Sequence, residues 1–422
     1  MDYAEFLLPY GDSTLSVRVP EKNVSFVLEP HHVDGVSDEA AAVTTALRNP
    51  IGQRPLAEAV QPADHVIVIV TDNTRACPDD ILLPPILAEL ERVVPRDHIT
   101  IIVALGLHPP LGHGELCSLL GEQIVAQYCV VNHDPASVVN IGTTSRGTPV
   151  DINPIVVNAD FRLSTGFIEP HFFAGFSGGR KSIAPGVFGR NSAFVNHGFR
   201  MIADPLARAG ITKGNPIHED MVEQARMAGL DFIVNVLLNS EKRITSVYAG
   251  DLVAAHEAGC AVARRMVGVH TPHRADITIT SNSGAPLDLD LYQTVKGMDT
   301  AALVTRDGGI ILIASSCSAG AGPQSFVDVH SSCASPIDVM QKIRREEPFG
   351  VQWQNQILAR IQMRHQVLLR SELPDELVLQ MRLTPVRDLD SAVASAIEQM
   401  GPCAEVAVIP EGPLVLPLCA NQ

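Results

Sequence analysis

The residues best suited to chemistry lie in one glycine-rich stretch, 169–189, which reads EPHFFAGFSGGRKSIAPGVFG. The stretch holds a histidine, His171, and a lysine, Lys181, and its candidate ligand-binding glycines are Gly175, Gly178 and Gly179. A glycine-rich turn exposes backbone N–H groups, and a lysine beside them suits an anionic group or a covalently attached cofactor. A flexible surface loop with a solvated lysine would have the same composition, and the residues alone leave both interpretations open.

Two generic catalytic patterns nearly fit inside this stretch. Residues 175–179 match G-x-S-x-G, the turn that presents a nucleophilic serine in hydrolases, with Ser177 as the serine. That turn needs a strand directly before it, and we do not expect residues 169–171 to form one. Residues 175–182 approach the phosphate-binding loop G-x-x-x-x-G-K-[ST], but Arg180 stands where its second glycine is required. A nucleotide kinase or ATPase is therefore disfavoured, and a Ser177 hydrolase is kept as an alternative.

Polar residues also follow two apolar segments that we predict to be buried strands. Asp72 and Arg75 follow residues 66–70, and His108 follows residues 99–105. Ligands bind at the carboxyl ends of strands in open parallel sheets, and arginine is a natural clamp for a carboxylate. A structural histidine and an Asp–Arg turn cap remain alternatives. A further histidine, His197, lies sixteen residues past the lysine of the glycine-rich stretch.

The segment 280–299 carries a second polar group, TSNSGAPLDLDLYQTVKGMD. A helix is predicted to begin near Tyr292, which places Gln293 and Lys296 three residues apart on one helical face. Asp288 and Asp290 resemble a pair of ligands for a hard metal, but a solvated turn is the preferred interpretation.

Apolar runs that alternate with helical patterns predict the elements that must position these residues. Strands are expected at 66–70, 99–105, 232–238, 244–248, 276–280, 309–315, 365–369 and 405–409, and helices at 79–94, 252–266, 336–345, 352–363 and 389–400. This alternation is typical of an α/β protein whose mostly parallel sheets are flanked by helices. The segment HTPHR at 270–274 separates a predicted amino-terminal domain, 1–270, from a carboxy-terminal one, 275–422.

Composition excludes several classes of function. The 422 residues carry 31 Lys and Arg against 47 Asp and Glu, a net charge of −16, which disfavours nucleic acid and membrane surfaces as partners. No Cys-x-x-Cys pair occurs among the eight cysteines, so neither a zinc knuckle nor a disulfide scaffold is expected. The amino terminus lacks the charge order of a secretory signal, and the sequence predicts a cytoplasmic protein.

Taken in chain order, these segments resemble the nickel-pincer lactate racemase family. The matching features are a Thr-Asp-x-x-Arg turn with Asp72 and Arg75, a Gly-x-His-x-Pro segment with His108, the glycine-rich stretch with His171 and Lys181, the downstream His197, a Tyr-Gln-x-x-Lys helix with Tyr292, Gln293 and Lys296, and the segment 351–356 with Trp353. Each feature alone is a weak signal, but the ordered set is specific.

The resemblance implies two α/β domains with the active site in the cleft between them. Its cofactor would be a nickel-pincer nucleotide, a pyridinium-3-thioamide-5-thiocarboxylate mononucleotide that binds nickel through two sulfurs and one carbon. Lys181 would attach it covalently, and His197 would complete the square-planar coordination that nickel(II) favours. Further cofactor contacts would come from Asp72, Arg75, Gly175, Gly178 and Gly179.

The resemblance also implies a reaction, inversion at C2 of a 2-hydroxy acid. Hydride removal from C2 gives a planar 2-keto acid that can take the hydride back on either face, with His108 and His171 as the acid/base pair. The substrate would be held by Arg75, Tyr292, Gln293, Lys296 and Trp353. Cofactor maturation proteins would be partners, and a non-catalytic cofactor- or metal-binding homologue is a second alternative.

Two departures from the family pattern lie near the expected substrate positions. Pro109 follows His108, where lactate-specific members are expected to carry arginine, and the stretch SSCSAGAG at 315–322 lacks an expected acidic residue. The resemblance therefore indicates a 2-hydroxy acid without selecting which one.

Overall fold

A computed structural model of the chain describes residues 2–419, which divide into two compact units. The amino-terminal unit comprises residues 32–197 and 204–266, and the carboxy-terminal unit comprises residues 2–31, 198–203 and 267–419. The division at 266/267 lies close to the predicted boundary at 270–275. Residues 2–31 differ from the prediction, because they lie in the carboxy-terminal unit although the sequence assigned them to the amino-terminal domain.

The strands and helices alternate along most of the chain. The strands are β1 (Tyr3–Tyr10), β2 (Ser13–Pro20), β3 (Val24–Val27), β4 (Val66–Val70), β5 (Ile99–Val103), β6 (Cys129–Asn132), β7 (Val139–Thr143), β8 (Pro149–Ile152), β9 (Phe161–Phe167), β10 (Pro170–His171), β11 (Gly175–Phe176), β12 (Phe232–Leu238), β13 (Ile244–Gly250), β14 (Gly268–Thr271), β15 (Ala275–Ser281), β16 (Thr305–Ala314), β17 (Gln366–Arg370), β18 (Thr384–Val386), β19 (Val406–Ile409) and β20 (Leu416–Cys419). The α-helices are α1 (Glu39–Arg48), α2 (Leu56–Ala59), α3 (Asp79–Leu90), α4 (His113–Leu120), α5 (Glu122–Gln127), α6 (Pro154–Val157), α7 (Arg190–Asn196), α8 (Phe199–Ile202), α9 (Pro216–Met227), α10 (Ala254–Val267), α11 (Leu291–Val304), α12 (Gln324–Ser331), α13 (Pro336–Arg345), α14 (Gln352–Gln362), α15 (Asp375–Gln380) and α16 (Leu389–Met400).

The amino-terminal unit is built on a six-stranded sheet in the order β13-β12-β9-β4-β5-β6. All neighbours are parallel except β12 and β13, which pair antiparallel. Every residue of β4, VIVIV, is buried, as expected for a central parallel strand covered on both faces. The mostly parallel α/β fold class predicted from the sequence is thereby confirmed for this unit.

The strand order of this sheet creates a place for a ligand. The chain runs from β4 to β5 on one side and later returns to β9 on the other side of β4. At such a reversal the loops that leave the two neighbouring strands diverge and open a crevice at their carboxyl ends. The fold therefore directs the loops after β4, β5 and β9 to one edge of the sheet.

The carboxy-terminal unit is built on a second six-stranded sheet in the order β18-β17-β16-β15-β19-β3, parallel throughout. Its edge strand β3 comes from the start of the chain, and the hairpin β1–β2 packs its apolar side chains into the same core. These non-local pairings explain why residues 2–31 lie with the carboxy-terminal unit. Within residues 2–419, no helix has both the length and the apolar character needed to cross a membrane.

Candidate active site

Most of the predicted site residues of the amino-terminal unit lie on the three segments that follow β4, β5 and β9. Asp72 and Arg75 follow β4, His108 follows β5, and the glycine-rich stretch follows β9. One backbone link joins the last two loops. Gly186 accepts a hydrogen bond from Gly106 N–H at 2.9 Å and donates its own N–H to the carbonyl of Lys181 at 3.1 Å. The loop of His108 is therefore attached to the loop of Lys181.

Asp72 and His108 form a close pair. Asp72 is buried, and its Oδ2 lies 2.5 Å from Nδ1 of His108, whose side chain is 46% exposed. Burial raises the pKa of Asp72, but the hydrogen bonds from His108 and Thr74 and the charge of Arg75 outweigh it, so the pKa lies below its usual value. The ionised carboxylate holds the proton of His108 on Nδ1, which leaves Nε2 as the basic nitrogen.

The other predicted residues surround one aromatic ring, that of Phe173. The ring centroid lies 4.5 Å from that of His171, 5.0 Å from that of His197, and 6.0 Å from Nζ of Lys181. Sequence reasoning missed Phe173, because an apolar pair after a histidine reads as ordinary core. The structure thus brings together the predicted base, the predicted metal ligand and the predicted attachment site.

His197 has the protonation state that a metal ligand requires. Its ring is buried, and burial together with the charge of Lys181 lowers the pKa of His197 to about 3. The imidazole is therefore neutral near pH 7, and a neutral imidazole nitrogen is a good ligand for nickel(II). The donor set of Lys181 and His197 fits the cofactor that the sequence suggested.

The glycines of the glycine-rich stretch are packed closely against other residues of the protein, which leaves no room for a side chain. Gly175 has a φ of +79°, and a Cβ there would lie 2.2 Å from the carbonyl oxygen of Ile211. Gly178 has a φ of +74°, and its Cβ would lie 2.7 Å from Oδ1 of Asn235. Close packing of the turn, together with positive φ, accounts for glycine at these two positions.

Ser177 is held in a structural role. Its hydroxyl is buried, donates to the carbonyl of Phe167 at 2.8 Å and accepts the N–H of Glu169 at 2.9 Å. The expectation that residues 169–171 form no strand was wrong, because β10 and β11 make a two-residue hairpin. Ser177 nevertheless follows a hairpin rather than a strand-to-helix turn, so the hydrolase geometry is not formed.

The predicted substrate residues of the carboxy-terminal unit come together at the starts of two helices. Trp353, in the first turn of α14, donates its indole N–H to the hydroxyl of Tyr292 in α11 at 2.9 Å. Gln293 and Lys296 follow on α11 at the predicted spacing. The hydrogen bond therefore fixes the first turn of α11, which carries Tyr292 and Gln293, and Lys296 follows in the second turn.

The interpretation of Asp288 and Asp290 as a solvated turn was wrong. Asp288 is fully buried, and its Oδ2 accepts the N–H groups of Gly11 and Ser316 at 2.8 and 2.9 Å. Asp290 caps α11 by accepting the N–H of Gln293 at 2.7 Å. Both carboxylates thus satisfy backbone groups, and Asp288 ties the β1–β2 turn to the loop after β16.

A buried carboxyl group that the sequence did not reveal lies where β4 and β9 separate. Asp79, at the start of α3, accepts hydrogen bonds from the hydroxyls of Thr71 at 2.8 Å and Thr165 at 2.5 Å. Thr71 directly precedes Asp72, and Thr165 belongs to β9. Asp79 therefore joins the two strands that flank the crevice. In the sequence an acidic residue in the first turn of a helix suggests only a favourable dipole contact.

We expect Asp79 to make the stability of the protein depend on pH. Burial raises its pKa from 3.8 to about 6, although the hydrogen bonds from Thr165 and Thr71 favour the carboxylate. Between these values the folded state binds more protons than the unfolded state, so this contribution is full below pH 4 and is lost as the pH rises to about 6. The loss is on the order of 2–3 kcal/mol. The variant Asp79→Asn should lack this pH dependence. The free energy of unfolding in urea should therefore fall from pH 4 to 7 in wild type relative to the variant. Parallel pH profiles for the two proteins would contradict this assignment.

Comparisons with known proteins match nearly the whole chain. Residues 10–210 match the model of the lactate racemase N-terminal domain, and residues 270–416 match that of the lactate racemase C-terminal domain. The lactate racemase of Thermoanaerobacterium thermosaccharolyticum is 37% identical over 98% of this chain and 99% of its own. That of Lactiplantibacillus plantarum is 37% identical over 96% and 97%.

Two solved structures are also similar to this chain. The structure of the lactate racemase apoprotein from T. thermosaccharolyticum superposes with a TM-score of 0.93 at 36% identity, covering 98% of this chain and all of that one. A Thermotoga maritima protein with a TM-score of 0.68 and 16% identity, covering 90% of this chain and 98% of that one, shares the fold alone.

Proposed function

This chain belongs to the lactate racemase family, and on that premise we propose that it inverts C2 of a 2-hydroxy acid with a nickel-pincer nucleotide bound at Lys181 and His197. The relatives named lactate racemase are isomerases, and this chain is an isomerase as well. Lactate is the first substrate to test, since both of these relatives carry its name. The observation that supports the proposal best is the arrangement of His171, His197 and Lys181 around Phe173.

The donor groups at this ring suit the proposed cofactor. The amine of Lys181 would hold the nucleotide as a thioamide, and the neutral ring of His197 would serve as a ligand to its nickel. The bound nucleotide would supply a reversible hydride acceptor for C2 of the substrate. The side chains of the protein orient the substrate, neutralise its charge and transfer protons.

Proton transfer is assigned to His108 and His171. The Asp72 carboxylate holds the Nδ1 proton of His108, so Nε2 can take the proton of the substrate hydroxyl as the hydride leaves C2. For the opposite antipode His171 takes the proton. In each direction the histidine that is not the base supplies, in its protonated form, the proton for the new hydroxyl. One base for each antipode accounts for the two histidines, His108 and His171, that are assigned to proton transfer.

Substrate binding is assigned to the cationic and polar side chains. We propose that Arg75 and Lys296 neutralise the substrate carboxylate, with Gln293, Tyr292 and Trp353 as further contacts. Arginine binds carboxylates through two parallel hydrogen bonds, and a second cation strengthens the selection for an anionic substrate in a chain of net charge −16. Asp72, by its hydrogen bond to His108 and its proximity to Arg75, orients both the base and this clamp.

The test is an assay of chirality on protein co-expressed with cofactor maturation enzymes. A single enantiomer of lactate should convert to an equal mixture of both, and a panel of malate-like, aromatic and sugar 2-hydroxy acids should rank the substrates. Protein expressed without the maturation enzymes is the control and should convert none. Loaded protein that leaves every single enantiomer of the panel unchanged would contradict racemase function and favour the non-catalytic alternative.

A further inference from the structure

We propose that Arg180 and Asn235 are positioning residues that fix the turn of Lys181 so that its amine can be joined to the cofactor. The inference rests on the proposed function, in which Lys181 is the attachment site. Neither residue reaches the cofactor in this account. Each acts through the backbone of the turn, from beneath it and from the neighbouring strand β12.

Arg180 turns its side chain into the protein interior and is completely buried. Its guanidinium donates to the carbonyl of Ala174 at 2.6 Å and to that of Gly178 at 3.1 Å, and it lies 3.5 Å from the carbonyl of Ser177. Ala174 follows directly on Phe173, and Gly178 immediately precedes the 3-10 turn that carries Lys181. One side chain therefore joins the segment of the central ring to the segment of the attachment site.

The charge of Arg180 is not balanced by a carboxylate among its hydrogen-bond partners in residues 2–419. Burial and the charge of Arg180 lower the pKa of the neighbouring His256 to about 3. Burial likewise raises the pKa of the Cys260 thiol to about 12. Both neighbours are neutral, so the guanidinium is compensated by backbone carbonyls and by the ring of His256, whose Nε2 lies 3.1 Å from Nη1 of Arg180, and not by a negative charge. A buried cation without a counter-ion costs free energy, and a methionine of similar length would avoid that cost. Arginine at this position is accordingly explained by what it holds in place.

Asn235 holds the other side of the same turn. It is a fully buried polar residue within the apolar strand β12, FIVNVLL, and its Oδ1 accepts the N–H of Gly179 at 2.7 Å. The N–H of Lys181 in turn donates to the carbonyl of Gly178 at 3.2 Å. The turn is thus fixed through an N–H group by Asn235 and through carbonyl groups by Arg180, which leaves Lys181 little freedom to move relative to Phe173.

Attachment depends on this orientation. Joining the Lys181 amine to a thiocarboxylic acid forms the C–N bond of a thioamide and breaks the C–OH bond of the acid. The hydroxyl leaves as water with one proton of the amine, and no oxidation state changes. The amine must approach the carbon with its lone pair aligned, and misplacement by about 1 Å costs on the order of 10²-fold in rate. We therefore expect loss of either residue to impair cofactor attachment more than it impairs folding.

The experiment measures the fraction of protein that carries the cofactor adduct, by intact mass, after co-expression with the maturation enzymes. The variants are Arg180→Met, Arg180→Lys and Asn235→Leu, and the control is Arg162→Met. Arg162 also donates to two backbone carbonyls, those of Val156 and Val157, but it lies near the start of β9, away from the site. Thermal unfolding of the unloaded proteins reports folding separately.

We expect Arg180→Met and Asn235→Leu to lower the adduct fraction by about tenfold or more, while Arg162→Met keeps the wild-type fraction despite a comparable loss of Tm. Arg180→Lys keeps the charge but cannot reach both Ala174 and Gly178, so it should fold and still load poorly; it decides the question where Arg180→Met does not fold. Wild-type loading in Arg180→Lys and Asn235→Leu would overturn the inference. No adduct in wild type would instead overturn the attachment at Lys181, and the inference with it.

Discussion

We expect Lys181→Ala to lose the proposed covalent cofactor and to reduce racemisation to the level of unloaded protein, a loss of more than about 10³-fold. The physical reason is that the side chains around Phe173 can transfer protons and bind charge, but none of them can accept a hydride. Intact mass and chirality assays on wild type and variant, both expressed with the maturation enzymes, measure the two effects together.

The matched control is Lys213→Ala, because Lys213 is an exposed lysine of the same unit. This variant should keep the adduct and the activity. If Lys181→Ala still carried the adduct, the attachment site would have to be another residue. If it lost the adduct and remained active, the cofactor itself would not be needed for the reaction.

His108→Asn and His171→Asn should each lower racemisation by about 10²- to 10⁴-fold, the usual contribution of a positioned acid or base. Both variants should retain the adduct, since neither ring is the proposed attachment site or metal ligand. The activity would be lost at the proton-transfer step, because each histidine is the base for one enantiomer. When one histidine is replaced, that enantiomer has no base and the other direction has no acid. Conversion from each pure enantiomer, together with intact mass, measures this.

His113→Asn provides the control for both histidine variants, since His113 is exposed at the start of α4. It should behave as wild type. Full activity in either His108→Asn or His171→Asn would refute the paired-base mechanism. Loss of the adduct in one of them would show that the histidine is needed for cofactor binding instead.

The sequence predicted best the strands with long apolar runs. Residues 66–70 and 232–238 were predicted with their observed ends, because strands inside the sheet are buried on both faces, although Asn235 interrupts the second run. β9 was missed, since Ser164, Thr165 and Gly166 interrupt its apolar run although they are buried. The pairing of β3 with β19 is non-local, and no pattern within residues 2–31 indicates it.

For the site, residues that directly follow predicted strands could be assigned, since topology alone brings the carboxyl ends of parallel strands together. Asp72, Arg75 and His108 belong to this class. Phe173 and Asp79 could not be found in this way, because their roles depend on distances between residues far apart in the chain. The sequence also did not reveal which polar side chains are buried, and the completely buried Arg180 is an example.

The central claim is that C2 is inverted by moving a hydride rather than a proton. The most direct test follows L-lactate carrying deuterium at C2 with the loaded protein in ordinary water. A hydride that is removed and returned within one active site does not exchange with solvent, so the account predicts D-lactate that retains its deuterium. D-lactate with hydrogen at C2 would mean proton abstraction and would contradict the account.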